Sequence, residues 1–233
     1  MPCEFIWFDL GYTLLYKERE RLFAGVLARF DIDRPLDEID RAFHAIDKLF
    51  MREYPGRLGR SPEEFMPLYI GLLCGQLGIH ADLDPVRKGW MEAWKAPGND
   101  WQAYPFVHGV LDRLAAGGYR LGVISNWDPG AKAILDRCCL LGYFEVVVIS
   151  SEVGVGKPDE RIFRIALEKA KVEPSRCLYL GDNYYDDAIG AAKVGMASLI
   201  VNRFGGFGVE ELAGQDLVND ISGIFPWLER TKA

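Results

Sequence analysis

The sequence is poor in the residues that build transition-metal sites and disulfide frameworks. Its three histidines, His44, His80 and His108, lie far apart and show no ligand-like spacing. Its five cysteines form no CxxC pair and no Cys/His metal pattern, so we expect reduced, mostly structural thiols. A zinc site and a disulfide scaffold are therefore not expected.

Long apolar runs and an excess of basic residues are also missing. No apolar stretch approaches the length of a membrane span, and the N-terminal MPCE does not resemble a signal peptide. The formal net charge of −7 at pH 7 disfavours nucleic acid and anionic membranes as partners. We therefore expect a cytoplasmic protein with no nucleic-acid or membrane partner, either monomer or homodimer. A small anionic ligand remains compatible with this charge.

The hydrophobic pattern changes its period near the start of the chain. Residues 4–8 (EFIWF) are almost continuously apolar and end at Asp9, as in a strand buried on both faces of a parallel sheet. Between about 18 and 96, apolar residues recur at intervals of three and four, which predicts amphipathic helices without a strand. A capping box, SPEE at 61–64, and Gly78 predict the two ends of one of these helices.

From about residue 100 the pattern alternates between helix and strand. We predict helices near 108–116, 130–139 and 159–171 and from 187, and strands at 119–124, 145–149, 177–180 and 197–201. Such alternation predicts an α/β fold with a Rossmann-like parallel sheet in three α/β/α layers. Residues 1–16 and 98–233 would form this core, and residues 17–97 an inserted α-helical bundle.

Four polar segments follow strand-like runs in a fixed order. They are FDLGYTL around Asp9, VISNWD around Ser125, GVGKPD around Lys157, and LGDNYYDD around Asp182 and Asp187. The carboxyl ends of parallel strands lie at one edge of a sheet, where such folds bind ligands. The four segments therefore predict a single active site.

The carboxylates in these segments suit covalent group transfer with a hard cation. Asp9, at the end of the first strand, can attack a phosphorus or carbon atom and hold the group covalently. Asp182 and Asp187 would repel Asp9 unless a cation neutralised them, and oxygen-only ligands favour Mg²⁺. Asp186 is interpreted as a solvated or supporting carboxylate.

Three further residues are candidates for contacts with the transferred group. Lys157, at the start of the next helix, can offset the charge of Asp9 and of that group. Ser125 and Asn126 can donate hydrogen bonds to phosphoryl oxygens. Each residue alone could instead form a turn, a helix cap or a surface helix start. The four segments taken together favour the functional interpretation.

The order hhhhDxxxTL, hhhSN, GxxKPD and hhGDxxxxD resembles the haloacid dehalogenase-like hydrolase superfamily over about residues 4–202. The helical insert lies where that superfamily carries its helical cap. The resemblance implies a Mg²⁺-dependent phosphatase that acts on a small phosphorylated metabolite through an aspartyl-phosphate. By resemblance the roles would be Asp9 as nucleophile, Thr13 as a first-motif support, Ser125 as phosphate-binding residue, Lys157 as the third-motif lysine, and Asp182 with Asp187 as magnesium ligands.

One position departs from the phosphatase pattern. These phosphatases usually carry a general acid/base Asp two residues after the nucleophile, where this chain has Gly11. The resemblance implies that the backbone carbonyl at this position binds the metal, and Gly11 still supplies that carbonyl. Gly11 and Thr13 are also expected to contact the substrate. Loss of a positioned acid typically costs about 10²- to 10⁴-fold. A slow phosphatase, one with a leaving group that needs little protonation, and one with an acid from elsewhere remain open.

Three alternatives follow from Gly11. A 2-haloacid dehalogenase needs no leaving-group acid, although GDNYYDD keeps both metal-type acids. A non-catalytic phospholigand binder would have no reason to retain the nucleophile, the lysine and both acids. A phosphonate hydrolase would need a lysine from the cap, for which the candidates are Lys17, Lys48, Lys88 and Lys95. In the same predicted cap, the loop 52–60 carries three arginines that could bind an anion. A solvated loop between two helices is the stronger interpretation.

Overall fold

The computed structural model describes residues 3–58, 62–80, 82–96, 98–212 and 214–232. The chain divides into two compact units, one formed by Met1–Tyr16 and Gln102–Ala233 and the other by Lys17–Trp101. The sequence prediction placed the second boundary at residue 98. We propose that the two units are the core and the cap of the sequence prediction, and each is described by itself.

The larger unit is built on a parallel sheet. The strands are β1 (Phe5–Phe8), β2 (Leu15–Tyr16), β3 (Gln102–Ala103), β4 (Arg120–Ser125), β5 (Val146–Ile149), β6 (Cys177–Gly181), β7 (Ala197–Val201) and β8 (Leu217–Val218). Six of them pair in parallel in the order β5-β4-β1-β6-β7-β8. The predicted α/β fold with a Rossmann-like sheet flanked by helices is confirmed.

Both units of the chain contain helices. They are α1 (Arg19–Ala28), α2 (Leu36–Glu53), α3 (Pro62–Gln76), α4 (Leu83–Lys95), α5 (Val107–Ala116), α6 (Ala131–Arg137), α7 (Ser150–Val153), α8 (Glu160–Ala170), α9 (Ala188–Lys193) and α10 (Ile224–Lys232). The bounds predicted for the core elements after residue 100 differ from these by no more than two residues.

The central strand β1 is covered on both faces. Phe5 and Trp7 belong to a core cluster with Phe163 of α8 and Tyr179 of β6, whereas Ile6, on the opposite face of the sheet, is also fully buried. Successive residues of a strand point to opposite faces, so helices must shield both sides. Burial of the sheet on both faces therefore explains why Phe5–Phe8 are all apolar.

Register places the ends of three strands side by side. Phe8, the last residue of β1, pairs with Val123 of β4 and with Leu180 of β6. All three strands run in the same direction, so the residues that follow them emerge at one edge of the sheet. This edge positions the candidate site.

Several short elements were not predicted. Strands β2 and β3 form a two-residue antiparallel pair, Leu15 with Ala103 and Tyr16 with Gln102, beside the boundary between the units. The strand β8 is equally short, and α7 occupies four residues directly after β5. Two-residue strands are too short to show a hydrophobic period, so sequence patterns cannot reveal them.

The smaller unit, as far as the structure describes it, consists of α1–α4 without strands. Its buried cluster includes Phe23, Phe43, Phe50, Tyr69 and Trp90. These rings meet edge-on or tilted, with Phe23 and Trp90 centroids 5.6 Å apart. Such pairs add to the stabilisation from apolar burial. The apolar sides of the four helices thus meet in one core that is rich in aromatic rings.

The two predicted ends of α3 have different outcomes. Gly78 has φ +62° and donates its N–H to the Gly75 carbonyl just after the helix ends, a left-handed conformation that glycine adopts without strain. At the other end, Ser61 of the predicted capping box lies outside the described residues, as do Gly59 and Arg60 of the arginine-containing loop.

A buried polar network ties three helices of the smaller unit together. Arg19 at the start of α1 donates to Asp47 Oδ2 on α2, and the Tyr69 hydroxyl on α3 donates to Asp47 Oδ1 at 2.6 Å. The Arg19 guanidinium also lies 4.6 Å from the ring centre of Phe43. Both oxygens of the carboxylate are therefore satisfied, as a buried charge requires.

None of the helices in the described part of the chain is both long enough and apolar enough to cross a membrane.

Candidate active site

Asp9 follows β1 at the centre of the sheet. Its backbone N–H donates to the Leu180 carbonyl at 2.8 Å, and only 8% of the residue is exposed. Its Oδ1 accepts hydrogen bonds from Ser125 Oγ at 2.8 Å and from Lys157 Nζ at 2.7 Å. The structure thus joins three of the predicted site residues through a single carboxylate oxygen.

Lys157 links Asp9 to the other acidic segment. The ammonium donates to Asp9 Oδ1, to Asp187 Oδ1 at 2.6 Å and to the Tyr179 hydroxyl at 2.9 Å. Burial acts to lower the pKa of Lys157, but the charges of Asp187 and Asp9 outweigh it and hold the pKa well above its ordinary value. The lysine is therefore a fixed positive charge between two carboxylates.

The backbone around Lys157 differs from the prediction. The sequence placed this lysine at the start of the following helix, but α8 begins at Glu160, and Asp159 caps it by accepting from the Arg161 N–H at 2.9 Å. Lys157 therefore lies in the loop before the helix. A loop position lets its backbone face another segment.

Asn126 holds that loop with both ends of its amide. Its Nδ2 donates to the Lys157 carbonyl at 2.9 Å, and its Oδ1 accepts from the Lys157 N–H at 2.7 Å. A Cβ on Gly156 would lie 2.7 Å from Asn126 Oδ1, so the adjacent glycine makes the approach possible. We propose that Asn126, predicted to contact substrate, orients Lys157.

Three carboxylates converge beside Lys157. Asp9, Asp182 and Asp187 each offer one oxygen, and these oxygens all lie within 4.8 Å of one another. With the Lys157 ammonium the ionised group carries two net negative charges, three from the acids and one positive from the lysine. Oxygen donors with this excess of negative charge fit a hard divalent cation such as Mg²⁺.

Asp187 is held in place by a turn of the acidic loop, residues 182–187 between β6 and α9. It is fully buried, and its Oδ2 accepts from the Asn183 N–H at 3.0 Å. A Cβ on Gly181 would lie only 2.1 Å from this oxygen, so glycine is required where the carboxylate folds back against β6. Burial raises the pKa of Asp187, and the Lys157 ammonium opposes that increase.

Of the two interpretations of Asp186, a solvated or a supporting carboxylate, the structure agrees with the second. The residue is 8% exposed, and its Oδ2 accepts from Asn183 Nδ2 at 2.9 Å. Its buried Oδ1 takes no hydrogen bond from any described residue. Burial raises the pKa of Asp186 to about 6; the Lys157 charge opposes this rise, and Asp9 and Asp182 add to it. Asp186 is therefore a supporting carboxylate within the acidic loop.

Gly11 and Thr13 lie in a tight turn after Asp9. The Leu10 carbonyl accepts from the N–H groups of Leu14 and Leu15, and Tyr12 has a left-handed backbone with φ +53°. The Thr13 hydroxyl is buried and has no hydrogen-bond partner among the described residues. Neither residue places an acidic side chain beside Asp9. Their contacts with metal and substrate stay predictions.

Two polar residues of this region were not singled out from the sequence. Ser150 Oγ accepts from the Trp127 N–H at 3.1 Å and donates to the Trp127 carbonyl at 3.3 Å, which fixes the loop after β4. Tyr179 touches Lys157 from within β6, where its apolar neighbours make it look like an ordinary core aromatic. A polar hydroxyl inside an otherwise apolar strand is the only sequence signal.

Comparison with known proteins gives the relatives of the chain. A family model described as haloacid dehalogenase-like hydrolase matches residues 29–201. A haloacid dehalogenase-like hydrolase domain-containing protein 3 from Xenopus laevis is 38% identical over 104 residues, 45% of this chain and 43% of that protein. A glyceraldehyde 3-phosphate phosphatase from Methanothermobacter thermautotrophicus is 37% identical over 105 residues, 42% of this chain and 44% of that protein. The matched segment thus spans less than half of either relative.

The fold has a close match among solved structures. A hydrolase from Streptococcus pneumoniae TIGR4 superposes with a TM-score of 0.69 at 18% sequence identity, covering 98% of this chain and 100% of that one. At this identity the likeness concerns the fold alone. The family match starts after Asp9, so it does not depend on the motif around the proposed nucleophile. Since it extends over most of the chain, the protein belongs to the haloacid dehalogenase-like hydrolase family.

Proposed function

We propose that the protein is a magnesium-dependent phosphatase of small phosphorylated metabolites that works through an aspartyl-phosphate on Asp9. The observation that carries this proposal is the convergence of Asp9, Asp182 and Asp187 on one point, with Lys157 bridging two of them. The glyceraldehyde 3-phosphate phosphatase among the relatives supports it. A cytoplasmic location and a small anionic substrate belong to the same proposal.

The donor set fits the metal that this chemistry needs. Asp9, Asp182 and Asp187 would hold Mg²⁺, and Gly11 would add its backbone carbonyl. The bound cation would neutralise the acidic cluster and screen an incoming phosphate from the carboxylate that attacks it. The half-buried position of Asp182, beside two buried acids, would leave the cation reachable from solvent.

In the first step, a carboxylate oxygen of Asp9 attacks phosphorus while the bond from phosphorus to the leaving oxygen breaks. The electron pair of that bond stays with the leaving group. Lys157 offsets the charge that builds up on the transferred phosphoryl group, and Ser125 Oγ, 2.8 Å from Asp9, can donate to a phosphoryl oxygen. The product of this step is an aspartyl-phosphate on Asp9.

In the second step, water attacks phosphorus and the bond between phosphorus and Asp9 breaks. Asp9 regains its carboxylate, and inorganic phosphate leaves. Gly11 offers no acid for the leaving group of the first step and no base for this water, so each proton is exchanged either with solvent or with an acid from elsewhere in the chain. Substrates with good leaving groups, such as acyl phosphates, are therefore favoured.

The first experiment measures phosphate release from p-nitrophenyl phosphate and from acetyl phosphate, with Mg²⁺ and with EDTA. Neither leaving group needs much protonation, so the missing acid does not hide the activity. Asp9→Asn is the matched control, since it keeps the shape of the side chain and removes the nucleophile. Release that requires both Mg²⁺ and Asp9 supports the proposal.

Gly11 also favours a second candidate, hydrolysis of 2-haloacids, because a halide leaves without a proton. No phosphate release by the folded protein, together with halide release from 2-chloropropionate, would establish that activity instead. Silence on all three substrates would point to a non-catalytic phospholigand binder. The cluster of Asp9, Asp182 and Asp187 beside Lys157 argues for the phosphatase. Its excess negative charge suits a reaction that uses a cation, whereas hydrolysis of 2-haloacids needs none.

A further inference from the structure

Tyr179 provides the third acceptor for the Lys157 ammonium. A lysine ammonium has three N–H donors, and here they point to Asp9 Oδ1, Asp187 Oδ1 and the Tyr179 hydroxyl at 2.7, 2.6 and 2.9 Å. Each donor therefore has its own acceptor. Three acceptors define the position of the nitrogen in space, whereas two would leave it free to swing about the line between them.

The proton of the phenol is already used elsewhere. Tyr179 donates it to the Ile124 carbonyl at 2.7 Å. The phenol oxygen can therefore only accept a hydrogen bond from Lys157. This suits the ammonium, which has donors and no acceptor. Ile124 directly precedes Ser125, so the phenol also joins the strand end that carries Ser125 to the loop that carries Lys157.

The ring of Tyr179 is held rigidly behind this contact. It is fully buried, it lies beside Trp7 in the register of the sheet, and it meets the Phe163 ring edge-on with centroids 5.5 Å apart. Burial raises the pKa of the phenol well above its ordinary value, so the hydroxyl stays protonated. A rigid, neutral hydroxyl suits a structural reference point for the ammonium.

We propose that Tyr179 is a positioning residue for the phosphatase reaction, because its hydroxyl fixes the Lys157 ammonium at the distance from Asp9 that stabilises the transferred phosphoryl group. This role rests on the proposed function. The tyrosine is fully buried, and it acts through the lysine. A residue that orients a charged group contributes part of the effect of that group when the geometry of charge stabilisation is strict.

The test is a double-mutant cycle on acetyl phosphate with Tyr179→Phe, Lys157→Met and the double variant. Tyr179→Phe should lower kcat about 10-fold, a change that corresponds to about 1.4 kcal/mol in the barrier, with little change in KM. In the Lys157→Met background the same change should have no further effect on kcat, because the group that the tyrosine positions is gone. Tyr143→Phe, which removes a tyrosine hydroxyl bonded to Asp112 at the surface, is the control and should leave kcat unaltered.

Equal losses of kcat from Tyr179→Phe with and without Lys157 would overturn the proposal, since they would mean that the tyrosine only supports the fold. An unchanged kcat in Tyr179→Phe would overturn it too. If the wild-type protein releases no phosphate from either substrate, the proposed function fails first, and the cycle is then not informative about Tyr179.

A measurement on the unaltered protein keeps the positioning role testable in that case, and also if Tyr179→Phe does not fold. In protein with ¹⁵N-labelled lysine, the Lys157 ammonium should give a nuclear magnetic resonance signal that exchanges slowly with water and shows a contact to the ring protons of Tyr179. Rapid exchange of every lysine ammonium, or a slow signal without that contact, would refute the arrangement.

Discussion

Two buried polar clusters, one in each unit, differ in their balance of charge. In the smaller unit, Arg19 pairs with Asp47, so one cation faces one carboxylate. In the larger unit, Lys157 contacts Asp9 and Asp187, and Asp182 lies close to both acids. The first cluster is neutral by itself and explains how helices are joined. The second cluster has an excess of negative charge that a bound cation would neutralise. This excess is the difference between a candidate metal site and a structural ion pair.

The largest effect that separates the clusters should come from Lys157→Met. We expect phosphate release to fall by more than about 10³-fold, because Asp9 and the transferred group lose their compensating charge. Without a cation the variant should also lose about 3–5 kcal/mol of stability, since two buried carboxylates then repel each other. Melting temperatures with and without Mg²⁺ measure this, and added Mg²⁺ should recover part of the loss. Full stability in EDTA would contradict the charge argument.

Removal of the cation from the neutral cluster should give a similar loss of stability without the response to metal. Arg19→Met leaves Asp47 buried with the Tyr69 hydroxyl, and a cost of about 3–5 kcal/mol is expected. The melting temperature should fall equally in EDTA and in Mg²⁺. If Mg²⁺ restored the stability of this variant as it does for Lys157→Met, the distinction between the two clusters would be lost.

Metal itself should stabilise the wild-type protein. At a Mg²⁺ concentration 100 times its Kd the gain should be about 2.7 kcal/mol, detected as a rise in melting temperature that EDTA reverses. Asp182→Asn should remove most of this gain, because it takes one ligand from the acidic cluster and lowers its negative charge. A gain that is as large in Asp182→Asn as in the wild type would place the cation elsewhere.

The smallest effect is expected from Tyr69→Phe in the smaller unit. It deletes a single buried hydrogen bond to Asp47, which should cost about 1–2 kcal/mol. The rise in melting temperature caused by Mg²⁺ should equal that of the wild type. Chemical denaturation with and without the metal is the suitable measurement. A diminished response to Mg²⁺ would show that the network of Asp47 is coupled to the acidic cluster.

Much of the larger unit could be predicted because its strands are buried on both faces. Phe5–Phe8 and Cys177–Gly181 are continuous runs of buried residues, and such runs are visible in a sequence. The polar residues that end them are visible too, and parallel strands bring their carboxyl ends to one edge. The convergence of Asp9, Ser125 and Asp187 follows from this shared edge of the parallel strands.

Other features depend on contacts that no pattern records. Both ends of the Asn126 amide pair with the backbone of Lys157, a contact that the sequence does not indicate. Asp186 is interpreted from the sequence as either solvated or supporting, and only the fold shows that it is buried. Local sequence gives the chemical capacity of a polar side chain, whereas its partner depends on which distant segment lies within about 3 Å.

By itself, the sequence determined the class of fold, the order of the core strands and helices, and the four segments that supply the acids, the serine and the lysine, because hydrophobic period and strand ends are local properties. Only the tertiary structure decided which atoms meet. It gave Lys157 its three acceptors, turned Asn126 onto the lysine and placed the hydroxyl of Tyr179 against the ammonium. Hydrogen bonds between residues far apart in the chain depend on how strands and loops pack, and that information is not contained in any single segment.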